Sequence, residues 1–164
     1  MQDDLELFAL IFEDQGKAGK ALQILRSAER ESGIKLVNAA TAAKDEQGRV
    51  RLNEREDVDP LHGAAAGAVL GALIGLLVGP GGAILGAAAG AAAGGMAARQ
   101  LDYGFDKDFI QELKEGLQSG HSALLVQVEE RWSGPALQAL EPLEGKVLRN
   151  ILRKDLLRRM KQEE

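Results

Sequence analysis

The sequence has no cysteine, only two histidines, and aromatics at 4% of its residues. Without cysteine there is no disulfide, no thiolate nucleophile and no cysteine metal site, and the absence is compatible with a reducing compartment. His62 and His121 stand on either side of a long insertion with no third ligand at a metal-binding spacing, so no metal is expected. No nucleophile is paired with a base, and no cofactor or small-molecule substrate is evident. These absences point away from an enzyme. Net acidity (−5) and the shortage of aromatics also disfavour nucleic acid. The opening stretch, MQDDLELFALIFEDQ, lacks a basic n-region and a small-residue cleavage site, so it does not read as a signal peptide.

The longest absence is of charge. From Gly63 to Ala98 there are 36 residues without a charged side chain. Glycines fill the gap in register: Gly63, Gly67, Gly71, Gly75 and Gly79 recur every fourth residue, and Gly82, Gly86, Gly90 and Gly94 do so again after Pro80. Gly79-Pro80-Gly81-Gly82 supplies a break and a tight turn, so the run reads as two helices in a hairpin. Each helical glycine costs about 1 kcal/mol relative to alanine. Nine such costs in two rows require an offset, and close approach of helix backbones is the one the spacing provides. A phosphate-cradling loop is disfavoured because no Lys-Ser/Thr follows the turn. The Ala, Leu and Ile content argues against a disordered linker.

The two arms differ. The first carries Val69, Leu70, Leu73, Ile74, Leu76, Leu77 and Val78, and the second has only Ile84, Leu85 and Met96 beside alanine and glycine. Arms of about 17–18 residues span about 26 Å, just under a hydrocarbon core of ~30 Å. The seven aliphatics of the first arm favour insertion by about 2–4 kcal/mol, whereas the second is near break-even. The expectation is therefore a membrane-inserted hairpin with its first arm outward. A soluble assembly with the hairpins in its core is the alternative, and an intramolecular hairpin folded onto its own domain is a third arrangement.

The flanks read as an α+β domain. Leu5 to Phe12 is an apolar strand. Asp14 caps a helix from about Gln15 to Glu31, with Ala18, Ala21, Leu22, Leu25 and Ala28 as its stripe and Gly33 as its stop. Strands follow at Ile34 to Lys44 and Arg49 to Asn53, joined by the turn Asp45 to Gly48. Beyond the insertion come a helix from Lys107 to about Leu117 capped by Asp106, a strand from Ala123 to Val128, a short helix opened by Pro135, and a strand from Lys146 to Leu152. The first six elements match a ferredoxin-like split βαβ sandwich, interrupted by a glycine-zipper α-helical hairpin, with the last helix and strand as an extension. This divides the chain into 1–58, the first half of the domain; 59–100, the hairpin; and 101–164, the second half with a basic C-terminal helix.

From Lys146 to Lys161 seven basic residues oppose one acidic residue. Arg149, Arg153, Lys154, Arg158, Arg159 and Lys161 are candidates for contact with an anionic surface, against the plainer reading of a solvated helix face. Asp102, Asp106 and Asp108 read as helix-terminal acids rather than a cation site. Tyr103 and Trp132 read as packing residues that would also suit a headgroup belt.

The segments LFALIFED, KDEQGRVRL, GAAAG…GPGG…LGAAAGAAAG, DYGFDKDFIQEL, SALLVQVEE and GKVLRNIL are spread along nearly the whole chain. In these the sequence resembles a widespread bacterial family of uncharacterised proteins, labelled predicted membrane proteins, with a ferredoxin-like domain split by a glycine-zipper hairpin. The resemblance implies that fold and a membrane association, and supplies no catalytic residue. Self-association and membrane lipid are the partners expected, with the domain cytoplasmic. A sheet face that binds a small molecule is a further reading, resting on fold analogy alone.

Overall fold

A computed structural model describes residues 4–54, 70, 73–75, 77, 84–85 and 105–152. Strand β1 (Leu5–Phe12) is buried along nearly its whole length, as its uninterrupted apolar run requires. Helix α1 (Lys17–Ser32) follows, its start held by Asp14, whose Oδ1 accepts from the backbone N–H of Gly16 at 2.7 Å and Lys17 at 3.1 Å. It ends at Gly33 with φ +69°, the left-handed conformation that glycine adopts without a side-chain clash. Strands β2 (Leu36–Lys44) and β3 (Val50–Glu54) form the expected hairpin. In its turn, Gly48 N–H donates to Asp45 O at 3.0 Å, and Asp45 Oδ1 accepts from the N–H groups of Gln47 and Arg49.

The remaining elements are β4 (Ile84–Leu85), α2 (Lys107–Gly116), β5 (Ser122–Glu129), α3 (Glu130–Leu140) and β6 (Lys146–Leu152). The sheet runs β4-β3-β2-β5-β1-β6. Its five longer strands are antiparallel, with β5 between β1 and β2, and β1 between β5 and β6. The final helix and strand are therefore not an extension, because β6 pairs with β1 along seven residues. Helix α3 starts well before Pro135 and takes it inside. Burial of Ser133, Ala136 and Leu140 outweighs the backbone hydrogen bond that proline removes.

Both faces of the sheet are covered, and alternation along β1 divides its side chains between two cores. Phe8, Leu10 and Phe12 pack with Ala18, Ala21, Leu22 and Leu25 of α1 and with Ala136 and Leu140 of α3. Leu7, Ala9 and Ile11 face the other way, toward Phe109, Ile110 and Leu113 of α2.

The insertion contributes to that second core. Residues 70, 73–75 and 77 are helical. Leu70, Leu73 and Ile74 are buried in the core with Val50, Leu52, Ala40 and Ala42, and Leu77 packs against it. This corrects the outward-facing first arm for these residues: the spacing i, i+3, i+4, i+7 is an amphipathic face seated on the protein's own sheet. Ile84 and Leu85, expected in the second helix, instead form a short strand parallel to β3, opposite Val50 and Arg51. They pair backbone groups that β3 would otherwise leave open at the edge. The rest of the hairpin, including its turn, lies outside the described residues.

Candidate functional site

Several polar and charged side chains survive burial in this domain, among them Glu6, Asn38, Gln127, Ser133 and Asn150. Glu6 is 0% exposed, within an otherwise apolar strand. Its carboxylate accepts from Arg149 Nε and, at 3.0 Å, from Arg149 Nη2. The second nitrogen also donates to the buried Ser133 Oγ at 3.3 Å. One two-toothed ion pair thus ties β1, β6 and α3 together. The Glu6 hydrogen bond raises the Arg149 pKa above its ordinary value, outweighing desolvation, which acts the other way.

On the opposite face, Asn38, Gln127, Leu7 and Asn150 form one row across β2, β5, β1 and β6. The polar members are all buried. Asn150 Oδ1 accepts from the N–H of Asp106 at 2.8 Å, fixing the start of α2 against the sheet. Asn38 Oδ1 accepts from the N–H of Ala39 at 2.8 Å. Gln127 Oε1 is buried without a hydrogen-bond partner. Asn150 alone of the row ties the start of α2 to the sheet, and Gln127 carries its one orphaned acceptor among the described residues.

The third feature is the outer edge of β6. Leu148, Asn150 and Leu152 turn inward while Val147 and Ile151 turn out, 44% and 51% exposed. A cleft of about 600 Å³ lies along this edge, lined by Asp106, by α2 residues Lys107, Asp108, Phe109 and Glu112, and by Val147 to Arg149.

Of the glycines expected to pack helices, Gly75 is helical and partly buried. Gly63, Gly67, Gly71, Gly79, Gly82, Gly86, Gly90 and Gly94 lie outside the described residues. Among the cations, Arg149 is committed to Glu6, whereas Arg153, Lys154, Arg158, Arg159 and Lys161 lie outside them. His121 places Nδ1 2.8 Å from the Gly116 carbonyl oxygen. His62, Asp102 and Tyr103 are not described. Trp132 packs against the α1–α3 core.

Sequence reasoning missed Glu6, Gln127 and the Val147–Ile151 edge. A lone acid between Leu5 and Leu7, and the alternation of KVLRNIL, were the signals available. No group of three or more His, Cys, Asp or Glu that could hold a metal ion occurs among the described residues. No helix among them is long and apolar enough to cross a membrane. In comparison with known families, residues 60–163 fit a model described as a protein of unknown function, DUF1269. No curated protein and no solved structure matches the chain.

Proposed function

We propose, from the premise that this chain belongs to the DUF1269 family, that it is a non-enzymatic, self-assembling protein joined through the glycine rows of its insertion. The observation that carries the reading is the burial of Leu70, Leu73 and Ile74 on the protein's own sheet. At about 100° per residue, the helical Gly75 projects roughly 140° away from Leu70. With the aliphatic face committed inward, Gly75 is turned away from the sheet, and glycines at four-residue spacing on that side would suit close contact with a second helix. Either the second arm or another copy of the chain can meet it.

We read the scaffold as ferredoxin-like. Strands β1 and β2 flank β5 with α1 between them in sequence, and β5 and β6 flank β1 with α3 between them. These are two interlocked split βαβ units, with β3, the insertion and α2 placed between the second and third core strands.

Membrane association is the second reading. Its support is the uncharged run to Ala98 and the +6 balance between Lys146 and Lys161, where each cation near an anionic surface contributes about 1 kcal/mol. On this reading the domain is cytoplasmic and the remainder of the insertion meets lipid.

Size-exclusion chromatography with light scattering, with and without detergent, tests both readings. Gly71→Leu and Gly90→Leu should lower the assembly mass while the domain stays folded. An unchanged mass in either variant refutes glycine packing. Assembly that needs no detergent favours the first reading, and a species that stays in solution only with detergent favours the second.

A further inference from the structure

Strand β6 closes the sheet on one side among the described residues, and it lacks most devices that keep an edge from pairing. It contains no proline, and its register against β1 runs without a bulge from Lys146 to Leu152. Arg149, the charge at its centre, is drawn to Glu6. Among the described residues, Val147 and Ile151 are the exposed large hydrophobic side chains, and both are on this strand.

The spacing of those two residues identifies the occupant. They lie two positions before and two positions after Arg149, so the strand is complementary to itself. In an antiparallel pair centred on Arg149, Val147 meets Ile151 of a second copy, and Ile151 meets its Val147. A shift of two residues in either direction sets Arg149 against one of the aliphatics instead. A shift of one turns the exposed side chains to the opposite face. Only the centred register pairs aliphatic with aliphatic on the outer face, and it has the two-fold symmetry of an isologous contact. The two guanidiniums at its centre each carry their own Glu6 carboxylate, which leaves that centre neutral.

Charge points the same way. A strand added to this edge enters the cleft beside α2, whose rim carries Asp106, Asp108 and Glu112 against Lys107. Such a rim favours a basic strand. β6 itself bears no acid, and its Lys146 already sits 3.9 Å from Glu112.

We infer that two copies of this chain join edge to edge through β6, in the register that sets Val147 on Ile151, to make one continuous sheet. The inference uses neither the insertion nor the glycine rows, and its test is independent of theirs.

The absence of cysteine makes the test direct. Full-length Val147→Cys and Ile151→Cys proteins are purified separately, mixed and mildly oxidised. A disulfide between the two variants should form several-fold more than within either variant alone, and more than in a Gln118→Cys control on an exposed loop. Ile151→Lys combined with Val147→Cys should abolish cross-linking to Ile151→Cys, with the fold intact by circular dichroism. Equal cross-linking of Val147→Cys with itself would overturn the register and the proposal with it. So would a mixed yield no greater than the control. Cross-linking that appears only after removal of residues 153–164 would show that the tail occupies the edge, and would equally reject pairing between copies. Gly71→Leu should leave the mixed disulfide in place, so failure of glycine packing and failure of this inference give different results.

Discussion

Leu73→Ala separates a helix that is part of the domain from one that faces lipid. Leu73 is 0% exposed and shares a core with Leu70, Ile74, Val50, Leu52 and the apolar face of α2. Truncating a leucine so enclosed removes its transfer energy and leaves a cavity, about 2–5 kcal/mol in all. With the sheet and α2 sharing its core, the site has little room to collapse, and about 3–4 kcal/mol is expected. In a chain of this length each kcal/mol moves the midpoint by about 2–4 °C, so the melting temperature should drop by roughly 6–16 °C. A lipid-facing leucine would give up only about 0.3–0.6 kcal/mol of insertion energy, with no effect on unfolding of the domain. The assay is thermal and urea unfolding followed by the fluorescence of Trp132, the single tryptophan, which packs in the core on the other side of the sheet. Leu113→Ala, in α2 and the same core as Leu73, is the internal standard. If Leu113→Ala loses several kcal/mol while Leu73→Ala unfolds as the unsubstituted chain does, docking of the insertion on the sheet is wrong.

Other expectations follow from the buried polar groups. Arg149→Leu strands the Glu6 carboxylate and should destabilise by about 2–3 kcal/mol, below the full cost of breaking a buried pair because Arg149 is half exposed. Glu6→Leu added to it should recover at least half of that loss, as a double-mutant cycle by urea unfolding would show. Gln127→Met removes an orphaned buried acceptor at nearly constant volume and should raise stability by about 1 kcal/mol; a loss of that size would mean that Oε1 is satisfied after all. Burial acts to raise the Asp45 pKa, but hydrogen bonds and charge from Arg49, with the N–H of Gln47, outweigh it and hold the carboxyl below the ordinary range. Its contribution is therefore present above the ordinary carboxylate pKa of about 3.9 and lost as pH falls through the lower folded value. Asp45→Asn should flatten the acid side of the stability profile, and an unaltered acid limb would discount the turn.

What the sequence made legible was local chemistry. The apolar run of β1, the stripe of α1 with its Gly33 stop, the Asp45–Gly48 turn and the alternation of β6 each carry their own periodicity or turn residues. Pairing across the chain was not legible. Glu6 and Arg149 lie 143 positions apart, and Asn38, Gln127 and Asn150 form a row only because of strand register. The aliphatics of the insertion misled for a physical reason. Hydrocarbon and protein interior both select Leu and Ile, so composition suits either, and only neighbouring surfaces separate them. Ile84 and Leu85 were too short a segment for periodicity to distinguish strand from helix.

Thiol accessibility of Leu73→Cys in the full chain, reconstituted with anionic vesicles, tests the docked insertion most directly. The cysteine should resist both a lipid-soluble and a water-soluble probe in the native protein, and become reactive to the latter in concert with loss of the Trp132 signal in urea. Rapid labelling by the lipid-soluble probe while Trp132 still reports a folded domain would contradict the account and return the first arm of the insertion to the bilayer.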